Sequence, residues 1–176
     1  MGEHPQRPTL KTKRLALRGL RPHDAPRMAE LVDDYDIARM TTRIPHPFAV
    51  EHAEDFIARM QGRDPARETV FAIETKAEGL LGVLGLHPTP AGIELGCWLG
   101  RPFWGLGYAT EAALAALAWA GADWGRRYIV SGHFADNPAS GRVLTKVGFL
   151  YTGEVVGRFS LARGEEAATR MMVWLA

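Results

Sequence analysis

The sequence is short of cysteine, of net charge and of long apolar runs, and each shortage excludes something. Its single cysteine, Cys97, rules out an internal disulfide framework and fits a reducing cytoplasm. A formal net charge of +1 gives no strong pull toward nucleic acid or a membrane surface. No apolar run approaches the roughly 20 residues that cross a bilayer, and the polar, proline-containing opening Met1–Lys13 does not read as a signal peptide. Neither H-E-x-x-H nor C-x-x-C occurs, so no metal is expected. No repeat or low-complexity linker divides the chain. What remains is 176 residues, 47% hydrophobic, enough for a sizeable core. The expected organisation is a loose tail over residues 1–11 and a single domain over residues 12–176.

Apolar spacing gives a mixed order of elements. Arg14–Arg18 alternates charged and apolar residues and reads as a strand. A helix follows from Pro22 or Asp24 to about Asp33, then a proline-containing loop over Met40–Phe48, then a helix over Val50–Gln61 with Ala53, Phe56, Ile57 and Met60 on one face. Thr69–Thr75 and Leu80–Leu86 make a hairpin, and Ile93–Leu99 is a third strand. The run Ala112–Ala122 is helical, with side chains small enough to lie close against a sheet. Arg127–Phe134 is a strand. Asn137 caps a helix that Pro138 opens and Gly148 ends. Phe149–Val156 and Ala168–Leu175 are the last strands. This order is mixed α/β around a central sheet, not a regular βαβ repeat.

The chain is organised around Trp104-Gly105-Leu106-Gly107-Tyr108-Ala109-Thr110-Glu111, which joins the third strand to the alanine-rich helix. Strand, glycine turn and helix N-terminus together make an anion site. The first N–H groups of a helix have no intrahelical partner, the dipole adds positive potential, and glycine lets a ligand approach the backbone. Tyr108–Glu111 places no basic side chain in the turn, so an anion held there is held by backbone N–H groups. The loop also approximates G-x-G-x-x-G, but the acidic residue expected about 20 positions on at the end of a second strand is missing.

The loop, together with Asn137-Pro138-Ala139-Ser140 and Lys146-Val147-Gly148-Phe149, resembles the GNAT superfamily of acetyl-coenzyme A-dependent N-acetyltransferases. Within it, the chain is similar to the RimJ/RimL-like branch of ribosomal-protein N-terminal alanine and serine acetyltransferases. The family's coenzyme loop, Q/R-x-x-G-x-G/A, falls here on Trp104 to Ala109. The branch's G-Y-A-T-E-A is intact as Gly107–Ala112, and its N-x-x-S and K-x-G-F are present too. The similarity runs from about Thr12 to the C-terminus. It implies a GNAT-like α/β (α+β) fold: a central mixed, mostly antiparallel sheet of about seven strands flanked by about four helices. It implies acetyl-CoA as cosubstrate, no metal, an amine acceptor, and a homodimer as in many similar proteins. Two residues depart from the pattern. Trp104 stands where the family has Gln or Arg, and Leu106 where Lys or Arg is frequent. Both leave backbone binding in place and remove charge, so pyrophosphate is expected on the loop amides of Leu106, Gly107, Tyr108, Ala109 and Thr110, with reduced affinity.

Acetyl transfer to an amine requires a held thioester, a polarised carbonyl, a deprotonated amine and a protonated leaving thiolate. In the resembled fold the third strand splays from its neighbour, so backbone N–H groups near Trp98, Leu99 and Gly100 would polarise the carbonyl. Glu94, on the same strand and facing away from Ile93, Leu95 and Cys97, is the candidate base. The wider family's acid, a tyrosine in the last helix, is replaced by Leu144; the branch's serine is Ser140, whose hydroxyl would bond the coenzyme sulfur. Asn137 would bond the pantetheine arm as well as cap its helix. Cys97 reads as core, and His87 and His133 could line the acceptor pocket. Asp33, Asp34, Asp36, Glu51, Glu54 and Asp55 read first as solvated helix faces and only second as a site for a cation.

The expected function is transfer of the acetyl group of acetyl-CoA to a primary amine, foremost a protein or peptide N-terminal α-amine, in a ternary complex. The alternatives are a small-molecule acceptor (amino sugar, polyamine or amino-acid derivative), a CoA-binding module without catalysis, or a nucleotide-binding domain.

Overall fold

The computed structural model describes residues 7–176. In chain order the elements are β1 (Leu10–Lys11), β2 (Ala16–Arg18), α1 (Ala25–Val32), α2 (Tyr35–Ala38), α3 (Val50–Gln61), β3 (Thr69–Thr75), β4 (Gly79–Thr89), β5 (Gly92–Leu99), α4 (Tyr108–Ala122), β6 (Tyr128–Phe134), α5 (Pro138–Lys146), β7 (Leu150–Ser160) and β8 (Glu165–Leu175). Short 3-10 turns at Pro22–Asp24 and Arg101–Phe103 precede α1 and the glycine loop.

The eight strands form one sheet in the order β1-β2-β3-β4-β5-β6-β8-β7. The strand beyond the expected seven is β1, a two-residue edge piece pairing Leu10 with Leu17, too short to show periodicity. Of the expected tail, residues 1–6 lie outside the described residues. The extra helix is the single turn α2, whose first N–H groups are capped by Asp34, which accepts from the Asp36 amide at 2.9 Å. Every pairing is antiparallel except β5 with β6, which is parallel.

Helices cover both faces. On one, α1 and α3 bury Met28, Ala53, Ile57 and Met60 against Val70, Ala72 and Val83. On the other, Ala112, Ala116, Leu117 and Ala120 of α4 pack on Phe71, Leu84, Leu95 and Ile129, with Leu144 and Val147 from α5. Four buried alanines, Ala112, Ala113, Ala116 and Ala120, allow α4 to lie close to the sheet. The helix begins at Tyr108, not at Ala112, because Gly107 takes the left-handed conformation (φ 81°) and lets the chain turn directly into the first helical residue. Strand β7 runs on to Ser160, past the expected end at Val156, and its alternation is broken by an irregularity between Tyr151 and Val155. Among the described residues no helix is long and apolar enough to cross a membrane.

Candidate active site

The sheet opens at its centre. β4 pairs with β5 along the whole of β5, and β6 pairs with β8 along the whole of β6. Between β5 and β6, however, there is one register pair, Glu94 with Val130. Beyond it the strands part, and Ser131 Oγ reaches across the narrow end to donate to the Leu95 carbonyl at 2.8 Å. Peptide groups along a strand point alternately to its two sides. The Gly100 amide donates to Leu81 O on the β4 side (2.8 Å). The Leu95 and Leu99 carbonyls point the other way, one taken by Ser131 and the other by the Trp104 indole N–H at 2.7 Å. Alternation therefore turns the Cys97 and Leu99 amides toward the gap, where β6 no longer pairs with them. Of the backbone donors expected there, Leu99 is in place. Trp98 faces β4 with its amide and lines the cleft with its side chain. Gly100 is a correction: its amide is spent on Leu81, and its Cα lies buried against Leu31.

The gap is the floor of a cleft of about 740 Å³ that runs to the N-terminus of α4. Trp104, Gly105, Gly107, Tyr108, Ala109 and Thr110 line it, as the glycine-loop reading requires. Leu106 does not. Its side chain is 52% exposed, outside the cleft, and its carbonyl accepts from Arg14 Nη1 at 2.9 Å. Trp104 packs its ring under the Arg101 guanidinium, 4.9 Å from the centroid. The loop has no basic residue of its own, but the fold supplies Arg14 behind it. The Arg14 guanidinium also lies 4.4 Å over the Tyr108 ring and is bonded to Glu111. That neutralises the carboxylate nearest the helix N-terminus. Burial alone would raise the Glu111 pKa, but Thr12 and Arg14 outweigh it and hold the carboxyl below its ordinary range.

Asn137 and Ser140 both reach the cleft from the start of α5. Asn137 Oδ1 caps the helix, accepting from the Ser140 amide at 3.3 Å, which leaves its NH2 group for another partner. The Ser140 hydroxyl has no hydrogen-bond partner among the described residues and so is available as a donor at the cleft wall. Leu144, at the position of the wider family's tyrosine, is buried core. Cys97 was expected in the core, but instead opens to the cleft because the parted strands expose it. Desolvation by the protein around the thiol pushes its pKa up to about 12.

Glu94 lies on the opposite face of β5 from the Ile93 and Leu95 core contacts. It does not stand alone. Arg158 of β7 donates from Nη1 and Nη2 to its two carboxylate oxygens, at 2.7 and 2.8 Å. Hydrogen bonding to Glu94 is the main cause of a raised Arg158 pKa, so the proton of this pair stays on the guanidinium. Above it the rim of the cleft is a chain of ion pairs. Arg101 holds Asp34 (2.8 Å) and Asp36 (2.7 Å), Arg39 holds Asp36 (3.0 Å), and Arg163 holds Asp136 (2.8 Å). Asp36, Arg39 and Met40–Thr42 face the cleft. Arg163 also donates to the Arg39 carbonyl at 2.6 Å and so ties the loop after α2 to the β7–β8 turn.

Of the other acidic candidates, Glu51, Glu54 and Asp55 are exposed on α3, away from the cleft. His133 lines the cleft and shares a hydrogen bond with Tyr151 (2.8 Å), whereas His87 turns to Glu68 at 2.5 Å and does not line it. The residues sequence reasoning missed are Arg14, Arg39, Arg101 and Arg158. For Arg158 a signal existed, since the period-two pattern of β7 continues past Val156. The pairing irregularity between Tyr151 and Val155 interrupts the run before Arg158. The others carry no local signal, because each acts through partners far away in sequence.

Comparison with known proteins gives these features a frame. The acetyltransferase (GNAT) domain family matches residues 14–150. No curated protein sequence matches the chain. Among solved structures, the chain is similar to an acetyltransferase of the GNAT family from Bacillus anthracis, with 22% identity over 95% of this chain and 98% of that one, and a TM-score of 0.80. It is also similar to a putative ribosomal-protein-serine acetyltransferase from Vibrio cholerae, with 18% identity over 99% and 100% of the chains and a TM-score of 0.80. A spermidine N-acetyltransferase from Vibrio cholerae, solved with CoA and spermine, has 20% identity over 93% and 96% and a TM-score of 0.77. At these identities the likeness is one of fold.

Proposed function

The chain belongs to the acetyltransferase (GNAT) domain family and is an acetyl-CoA-dependent N-acetyltransferase; we propose that its acceptor is the α-amine of a peptide or protein N-terminus, as in the RimJ/RimL-like branch whose motifs it carries. The observation that carries this reading is the gap between β5 and β6 running to the N-terminus of α4, with Glu94 at its narrow end.

The residues fit acetyl-CoA. The open edge of β5 offers unpaired amides to an extended pantetheine arm, and the amides of Gly107 to Thr110 offer an anion site to the pyrophosphate. Bound acetyl-CoA supplies an activated thioester: the amine nitrogen bonds to the acetyl carbon, the carbon–sulfur bond breaks, and the sulfur leaves with the bonding electrons. The Cys97 and Leu99 amides would donate to the thioester carbonyl, Glu94 would accept the proton the amine gives up, and the Ser140 hydroxyl would donate to the departing sulfur. The Asn137 NH2 group would hold the arm. These roles need no metal. The single cysteine fits a cytoplasmic enzyme. A homodimer is part of the reading, because the outer strand β7 leaves Leu150 (63%) and Val155 (59%) exposed on a sheet edge.

The test is calorimetric titration with acetyl-CoA, with NAD and ATP as controls, on the wild type and Gly107→Glu. Peptide acetylation is then followed by mass spectrometry. Binding of acetyl-CoA alone, lost in the variant, and acetylation confined to the α-amine support the reading. Equal binding by the variant, or acetylation of spermidine but not of peptides, overturns it.

A further inference from the structure

Resting on that reading, we propose that Arg158 is a specificity-determining residue: it reads the oxygen of a carbonyl attached to the carbon that bears the acceptor's amine, while Glu94 takes the amine itself. The acceptor class is then a primary amine with an α-carbonyl, not a polyamine or a lysine-type side chain.

Three observations carry this. First, the Glu94–Arg158 pair leaves groups over on both sides. A guanidinium has five N–H donors, and Arg158 spends one from Nη1 and one from Nη2 on Glu94, with no other partner among the described residues. Each Glu94 oxygen keeps a lone pair. Both side chains line the cleft and are partly accessible, at 28% for Arg158 and 22% for Glu94. An acceptor oxygen site and an acceptor nitrogen site therefore stand one hydrogen bond apart, 2.7–2.8 Å between the partner atoms. The amine nitrogen and carbonyl oxygen of one aminoacyl unit are separated by about 3 Å from standard bond lengths. A single α-aminoacyl group spans the pair.

Second, the cleft has no spare negative charge for a second ammonium. Its carboxylates among the described residues are Asp36, held by Arg39 and Arg101, and Glu94, held by Arg158. A polycation would find each of them already neutralised and would meet the Arg39 and Arg158 guanidinium groups as well. Third, an α-amine has an ordinary pKa of about 7.7–8.0, against about 10.4 for a lysine amine. It surrenders its proton with less help, which suits a carboxylate whose two oxygens already accept from a guanidinium. His87, directly across the sheet from Glu94 in register, is turned to Glu68 and does not join the pair.

The experiment compares alanyl-alaninamide, isopropylamine and spermidine as acceptors with the wild type, Arg158→Met and Arg158→Lys. Thermal melts and acetyl-CoA titrations run in parallel to show that each variant is folded and binds cosubstrate. The wild type should favour the peptide amide over both other amines by about a hundredfold in kcat/KM. Arg158→Met should lose about 10- to 100-fold more on the peptide amide than on isopropylamine, with the excess mainly in KM, the loss of one charge-assisted hydrogen bond to the acceptor. Arg158→Lys should recover part of the KM. An equal loss on the peptide amide and isopropylamine would reduce Arg158 to a support for Glu94 and overturn the proposal while leaving the peptide reading intact. Efficient turnover of spermidine with none of the peptide amide would overturn both.

Discussion

Arg14 and Glu111, 97 residues apart in sequence, lock the first turn of α4 to the start of β2: Arg14 Nε donates to Glu111 Oε2 at 2.7 Å, and the Arg14 amide donates to Oε1 at 2.8 Å. Thr12 Oγ1 adds a bond of 2.6 Å to the same carboxylate. The contact compensates a negative charge beside an anion site and holds the Leu106 carbonyl in place.

Replacing Arg14 by Met should therefore affect ligand binding more than stability. The pair is part-exposed, with Arg14 at 40%, and such pairs contribute about 1 kcal/mol or less. Acetyl-CoA affinity should fall about 5- to 10-fold, more steeply at low ionic strength, where the uncompensated Glu111 repels the diphosphate most strongly. Calorimetry at two salt concentrations reads both effects. Unchanged affinity at both would show that the loop holds itself.

Gly107→Ala separates backbone strain from ligand contact when set beside Gly125→Ala. Both glycines have positive φ, 81° and 70°. A side chain at either should cost about 1–2 kcal/mol of stability. At Gly125 the new Cβ meets nothing within 4 Å, whereas at Gly107 it comes within 3.3 Å of Arg14 Nη2 at the mouth of the cleft. Both variants should melt earlier, and only Gly107→Ala should bind acetyl-CoA more weakly.

The pH dependence of stability should report on a different, buried pair. Arg18 donates to both carboxylate oxygens of Asp24, at 2.8 and 2.9 Å, with both side chains almost fully buried. Burial by itself would raise the Asp24 pKa; the Arg18 and Arg21 hydrogen bonds overcome it, and the net shift is downward. A depressed carboxyl contributes stability that is fully present above its unfolded value of about 3.9 and is lost as pH falls through the lower folded value. The pair's contribution should be flat from pH 8 to 5 and fade below about pH 4. Arg18→Met reverses the sign. Asp24 is then buried without its partner, at a cost of about 3–5 kcal/mol near neutrality, and protonation relieves that cost. Melting temperatures of this variant should rise as pH is lowered from 7 toward 5, while the wild type stays level.

Cys97 offers a chemical readout of the cleft. With its thiol pushed up to about 12, it should react with iodoacetamide at pH 8 more slowly than a free cysteine of pKa about 8.5. Acetyl-CoA should slow the reaction further by filling the gap above it. Labelling at the rate of a free thiol would mean that the strands part more widely than described.

Local pattern was enough for most of the fold and for the glycine loop that lines one end of the cleft. Helix α3 and strand β3 have the limits their apolar residues predict, α3 because one face is buried against its neighbours and β3 because it is a short apolar run buried on both faces of the sheet. The glycine loop and the Asn137 cap were legible for the same reason: backbone conformation and capping depend on residues within a few positions. What local pattern could not carry was every feature that depends on two distant segments meeting. The parting of β5 from β6 turns Cys97 from core into cleft floor, and the bond to Leu81 on the β4 side removes Gly100 from the donors. Charge behaves the same way. Trp104 and Leu106 make the loop look poor in positive charge, yet Arg14 arrives from β2's side and Arg101 lies over Trp104. Glu94 was identifiable as a carboxylate on the central strand, but its partner Arg158 lies 64 positions away, beyond an irregularity in the β7–β8 pairing. Residue type and short-range order thus determined the family, most of the helices and strands and the glycine loop. Only the tertiary structure decided which charges are paired, because ion pairing depends on distances of a few ångströms between segments the chain order leaves far apart.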